Sequence, residues 1–146
     1  MKSLYYEDVD IGEKFRTVGR TIDQTDITLF AMLSGDFNQV HTNAEYCKKT
    51  PFGKRIAHGI LTLAITSGLL MRLGLFEETG LAHLGSAEKY LAPVFPGDTI
   101  YAEIEVVGKK PMGQQRGMIT VRIDTKNQED KIVLTQEMNF MVRCRE

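Results

Sequence analysis

Acid–base chemistry in this chain has few residues to draw on. Histidine occurs only as His41, His58 and His83. An aperiodic stretch offers Ser34, Asp36, Asn38 and His41 within eight positions, and His58–Gly59 follows at the start of an apolar segment. A carboxylate and an imidazole five positions apart in a loop can converge on one water molecule. A carboxylate is anionic at neutral pH and imidazole titrates near 6.5, so either can exchange a proton there. General acid–base catalysis needs such a pair. Gly59 adds a third element. At a helix N-terminus the backbone N–H groups are unpaired and the dipole is positive, and a residue without a side chain lets a substrate oxygen approach. An oxyanion could be stabilised there. Asp36 and His41 could equally be ordinary turn residues, and the spacing alone leaves both readings open.

The remaining candidates read more plainly. His58 is expected to bond a nearby backbone group rather than a substrate. His83, beside a strand and without an acidic neighbour in sequence, reads as structural. Lys48, Lys49, Lys54 and Arg55 put four basic residues in eight positions. They suit the phosphates of an anionic ligand or a solvated loop equally well. Cys47 and Cys144 lie far apart with no C-x-x-C, so neither zinc nor a disulfide framework is expected and a reducing, cytoplasmic setting fits. No metal is expected. Ser34 and Ser67 lack a G-x-S-x-G context, which argues against a serine hydrolase. No G-x-G-x-x-G or Walker pattern points to a nucleotide cofactor.

The elements that must position these groups follow from periodicity. The chain has 146 residues with 42% hydrophobic and 25% charged content, which suits one domain over 1–146 with a real core. Eighteen basic against nineteen acidic residues give a net charge of −1, so a general nucleic-acid or membrane-surface binder is not expected. Met1 to Asp10 is too acidic for a signal peptide. Phe15 to Ile22 reads as a short strand. Asp23 caps a helix that carries Ile27, Phe30 and Ala31 and stops at Gly35. The link from Asp36 to Ala57 is expected to hold one short helical turn, with Asn43 capping Ala44 to Lys48. Gly59 to Met71 is apolar on nearly every face, and at thirteen residues is too short for the ~20 that span a bilayer. It reads as a helix buried all round, ending by Gly74. A less regular strand is expected from Ala82 to Leu91. Period-two alternation then marks strands through Ile100–Val106, Ile119–Ile123 and Ile132–Val142, with turns at Lys109–Gly113 and Asn127–Asp130. The sum is an α+β domain, an antiparallel sheet of about five strands curled around one hydrophobic helix. One thin sheet leaves part of that helix uncovered, so a homodimer is expected.

Four blocks carry a resemblance. They are Ser34-Gly35-Asp36-Phe37-Asn38-Gln39-Val40-His41, Arg55-Ile56-Ala57-His58-Gly59, Ser67-Gly68-Leu69-Leu70 and Pro93-Val94-Phe95-Pro96-Gly97-Asp98. In this order over residues 34–98 the chain resembles the MaoC-like (R)-specific enoyl-CoA hydratases. The resemblance implies the hotdog fold, an antiparallel sheet around a long helix, dimerising edge to edge. It implies that Asp36 and His41 hold and activate the water added to C3 of a trans-2-enoyl thioester, and that the Gly59 N–H receives the thioester oxygen. Asn38 would brace the loop, and Ser67 would support or line the pocket. No coenzyme A contact is assigned; Lys54 and Arg55, from the basic run, are candidates for it or part of a solvated loop. The substrate would be an acyl-CoA, or an acyl group on acyl carrier protein, with no separate cofactor. Two positions depart from the pattern: Gln39 stands where proline is usual, and Asn43 where aspartate is frequent. The rival readings are a 3-hydroxyacyl-carrier-protein dehydratase, an acyl thioesterase and a non-catalytic acyl-thioester binding subunit.

Overall fold

A computed structural model describes residues 3–146; Met1 and Lys2, the first residues of the acidic N-terminal stretch, lie outside the described residues. A single 3-10 turn at Tyr6–Asp8 leads into β1 (Lys14–Arg16), β2 (Arg20–Thr21), α1 (Gln24–Ser34), α2 (Gln39–Thr42), α3 (Ala44–Cys47), α4 (Gly59–Met71), β3 (Gly80–Tyr90), β4 (Thr99–Pro111), β5 (Arg116–Lys126) and β6 (Ile132–Arg143). The alternating segments form the antiparallel run β4-β5-β6, with Ile104 opposite Ile123 and Val121 opposite Met138. One face of this run is buried. Ala102, Ile104 and Val106, with Ile119, Val121, Ile123, Met138 and Val142, form one core cluster. A second cluster joins Leu61 and Leu69 of α4 to Ile27 of α1 and to Ile100, Val133 and Leu134 of the sheet. The sheet thus curls around α4, as expected of the hotdog arrangement.

Buried hydroxyls fix the helix to the sheet. Thr66 Oγ1 lies 2.9 Å from the Thr62 carbonyl and 3.0 Å from Thr125 Oγ1 on β5. Both threonines are 0% exposed, so each needs such a partner to offset the loss of water.

Two expectations are corrected. The Phe15–Ile22 strand is two short pieces, β1 and β2, both paired to β4, so the sheet has six strands rather than about five. Between them Thr17 turns its side chain into the ladder, taking the Ala102 N–H on Oγ1 at 2.9 Å. Second, the strand expected over Ala82 to Leu91 runs over Gly80–Tyr90 as β3, and it pairs with β6 at the far edge, giving the order β1-β4-β5-β6-β3. Its register with β6 shifts twice, at Gly80/Ala82 and at His83/Gly85. As one thin sheet implies, α4 is not covered all round within this chain. Ile60 is 56% and Met71 62% exposed, and Ala64, Ser67 and Gly68 complete an open stripe between them. The helix stops at Met71, three residues before Gly74.

Candidate active site

The site is assembled by a chain of local bonds. Asp23 and Asp26 form a capping box at the start of α1, and Arg20 reaches Asp26 at 2.7 Å. Gly35 closes α1 at φ 79°, a left-handed conformation in which its N–H meets the Ala31 carbonyl. That turn throws Asp36 off the helix axis. Ser34 Oγ accepts the Asp36 N–H at 3.1 Å, and Asp36 Oδ1 accepts the Asn38 N–H at 3.1 Å. Asn38 Oδ1 in turn accepts the Val40 N–H at 3.2 Å and caps α2. His41 therefore sits on a short helix and not in a loop. Asn43 caps α3 as expected, accepting the Tyr46 N–H at 3.0 Å, and α3 ends at Cys47 rather than Lys48. Asp and Asn residues that bond backbone two or three positions on build such turns without any long-range periodicity.

Asp36 and His41 come together. His41 Nε2 stands 4.0 Å from Asp36 Oδ2, with the His41 side chain 11% exposed and the Asp36 side chain 52% exposed. His41 Nδ1 lies 2.8 Å from the Ile56 carbonyl oxygen. A carbonyl only accepts, so Nδ1 carries the proton and Nε2 presents a lone pair to the gap. Burial pushes the His41 pKa below the ordinary imidazole value; the Ile56 bond opposes this, His58 adds to it, and Asp36 opposes it. Two acceptors 4.0 Å apart cannot bond each other, but one water between them can donate a hydrogen to each.

His58 joins this pair. Its Nε2 donates to the Asp36 carbonyl oxygen at 2.9 Å, so it does bond a backbone group as expected. Its ring also stacks on His41, with centroids 3.8 Å apart and planes 29° apart, and meets the edge of Phe30 at 4.9 Å. Ligand atoms of Asp36, His41 and His58 lie within 4.8 Å of one another, close enough to invite a metal ion. The stacking works against it. Two ring planes so nearly parallel meet far beyond the ~2.0 Å reach of a metal–nitrogen bond, so one ion cannot lie on both lone pairs.

Gly59 opens α4, where the first-turn N–H groups lack intrahelical acceptors. A Cβ at this position would lie 2.8 Å from the Tyr90 ring, so the missing side chain makes room for Tyr90, a neighbour the sequence did not suggest. Ser67 stands two turns further along α4, away from the Asp36–His41 gap. With Leu70 it lines a cavity of about 450 Å³ whose wall also includes Phe76, Met138 and Phe140. His83, exposed on β3, borders the same cavity. Leu69 does not, being 2% exposed in the core on the other side of the helix. Of the basic run, Lys48 is paired with Glu45 at 2.6 Å and Lys54 lies over the Phe95 ring at 4.5 Å. Lys49 is exposed and Arg55 half-buried. The Cys47 thiol is buried against the Gln39 and Val40 carbonyls.

The two departures from the resembled pattern touch each other, since Asn43 Nδ2 donates to Gln39 Oε1 at 2.8 Å. Gln39 is the first residue of α2, the position where proline is at home because its N–H would be unpaired anyway. Here a side-chain bond does the bracing that a ring would do.

Among the described residues no helix is long and apolar enough to cross a membrane. The chain matches the profile of the MaoC like domain over residues 8–128. It is 36% identical over 142 residues to an (R)-specific enoyl-CoA hydratase from Rhodospirillum rubrum, covering 97% of this chain and 93% of that protein. A solved structure described as a monoamine oxidase regulatory protein from Archaeoglobus superposes with a TM-score of 0.93 at 38% identity, covering 99% of this chain and 97% of the other. An unliganded R-hydratase from Pseudomonas aeruginosa gives 0.79 at 32% identity, covering 98% and 88%. On these grounds the chain belongs to the MaoC-like domain family.

Proposed function

We propose that the protein is a hydro-lyase that adds water to trans-2-enoyl-CoA to give (R)-3-hydroxyacyl-CoA, or runs the reverse dehydration. The observation that carries this reading is the 4.0 Å gap between two acceptors, Asp36 Oδ2 and His41 Nε2. A water bridging them keeps its oxygen lone pairs free for C3 of the enoyl group. As the oxygen–C3 bond forms, one acceptor takes a proton and the C2–C3 π electrons move toward the thioester carbonyl. The Gly59 N–H, at the positive end of α4, receives the charge that develops on that oxygen. The proton returns to C2, so the net change is the addition of water alone. The His41 lone pair is the better seat for the migrating proton. Burial disfavours its charged form, which gives the proton up again readily, and the neighbouring carboxylate offsets the charge meanwhile. Acid, base and oxyanion donor all come from the chain, so no cofactor beyond the thioester substrate is required.

The acyl tail would run along α4 toward the cavity at Ser67 and Leu70, and Lys54 and Arg55 lie near enough in the chain to meet the phosphates of coenzyme A. Acyl carrier protein is the alternative carrier. The open stripe on α4 and the exposed edge β3 support association of two copies, tested by light scattering at micromolar concentration, where a stable monomer would refute it.

Crotonyl-CoA tests the activity. Loss of the conjugated-thioester absorbance without release of free thiol is the expected result. Thiol release would mark a thioesterase instead, and no change with several chain lengths on both carriers would mark a binding subunit.

A further inference from the structure

We propose that His58 is a positioning residue for the reaction, holding the Asp36 backbone and the His41 ring in the relation that keeps the His41 Nε2 lone pair turned to the gap. This rests on the assignment of Asp36 and His41 as the reacting pair. Three contacts converge on the His58 ring, which is 2% exposed. Its Nε2 holds the Asp36 carbonyl at 2.9 Å, its face lies on His41 at 3.8 Å, and Phe30 closes the site from α1 at 4.9 Å. As the N-cap residue of α4 it also stands directly before Gly59. One ring thus sets the distance between the carboxylate, the imidazole and the helix terminus.

The hydrogen bonds fix its state. Both His41 and His58 donate to carbonyls, but through different nitrogens: Nδ1 in His41 and Nε2 in His58. The stacked pair therefore holds opposite tautomers. His58 Nδ1 is left bare and buried, with no hydrogen-bond partner among the described residues. A hydrogen on that nitrogen would find no acceptor, so the donating hydrogen sits on Nε2, facing Asp36. An unpaired buried nitrogen is a cost that an apolar ring would avoid. What the His58 ring provides in return is the bond it donates to Asp36. Among the described residues, the titratable groups acting on His41 are His58 from the start of α4 and Asp36 from the link after α1.

Only three histidines make the test direct, by 15N imidazole spectra of the whole protein. The expected pattern is one Nδ1–H and one Nε2–H tautomer for His41 and His58, with His83, exposed on β3, exchanging between both. His58→Phe keeps a flat ring but loses the bond to Asp36. It should lower kcat for crotonyl-CoA hydration by roughly a hundredfold, the loss that a misplacement of about 1 Å brings, and change KM much less. His58→Gln keeps a donor and loses the stack. It should recover part of the rate and move the acid limb of the pH profile up, toward ordinary imidazole. Should His58→Phe fail to fold, His58→Gln and the wild-type tautomers decide. A wild-type rate and an unmoved profile in folded His58 variants overturn the inference, as does an Nδ1–H tautomer at His58. Full activity in Asp36→Asn would instead overturn the reacting pair, and this inference with it.

Discussion

The two ends of α4 differ in almost every physical respect. At its N-terminus Asp36, His41 and His58 crowd together through short polar bonds, and each ring is packed on at least one side. Toward its C-terminus the helix borders a largely apolar cavity of about 450 Å³, lined by Leu70, Phe76, Met138 and Phe140 among others. Ser67 stands eight positions after Gly59, so the two lie about 12 Å apart at 1.5 Å per residue. The arrangement separates chemistry from fit. A change at the first end should act on the rate, and a change at the second on which chain is accepted.

The strongest break of that contrast would come from Asp36→Asn or His41→Ala. Each should lower kcat for hydration by roughly 10²–10⁴-fold, the range of general acid–base catalysis, while thermal unfolding shows an intact fold. Full activity in either would dissolve the distinction between the ends. In the wild type, activity that depends on neutral His41 should fall as pH drops through its depressed pKa, giving an acid limb below the ordinary value near 6.5. The same depression has a stability consequence of fixed sign. Below about 6.5 the unfolded chain binds this proton and the folded one does not, so stability falls as pH drops from there to the folded pKa and then levels.

Gly59→Ala should have a smaller effect. Its Cβ would press on the Tyr90 ring at 2.8 Å, but Tyr90 is 45% exposed and can give way. A loss on the order of tenfold is expected, less than an unrelieved displacement of 1 Å would bring. Adding Tyr90→Leu should restore much of it, as steady-state kinetics would show. At the other end, Leu70→Phe fills part of the cavity. It should lower kcat/KM for long enoyl chains relative to crotonyl-CoA, by about 1–3 kcal/mol per excluded methylene. An equal loss on all chain lengths would show that the cavity does not select the chain. The smallest effect belongs to Gln39→Pro. Proline suits the first position of α2 and would stabilise by about 0.4–1 kcal/mol, but the bond from Asn43 is lost. Urea unfolding should therefore move by less than about 1 kcal/mol.

Local signals were readable where each residue acts on its near neighbours. The period-two strands show in the alternation of neighbouring residues, and each of the Asp23 and Asn43 caps and the Gly35 stop rests on contacts within a few positions. So does the approach of Asp36 to His41, which the structure brings to 4.0 Å. What stayed hidden depends on distant chain. The break between β1 and β2 arises where Thr17 bonds Ala102, and β3 finds β6 rather than β4 across the sheet. The α2 turn is only four residues long, too short to show a helical period. The contact of His58 with Asp36 spans 22 positions, and that of Gly59 with Tyr90 more, so no local pattern announces either. The apolar composition of α4 was plain, but composition does not say whether this chain or another molecule covers a given face.

The double shift of register along β3 bears on how the sheet edge behaves in a crowded solution. An exposed edge strand of eleven residues would normally be an invitation to any extended peptide. Bends at Gly80/Ala82 and His83/Gly85 break the even spacing of its free backbone groups. A flat, regular strand laid alongside would lose step within a few residues. A strand pairing with β3 along its whole length would have to bend where β3 bends.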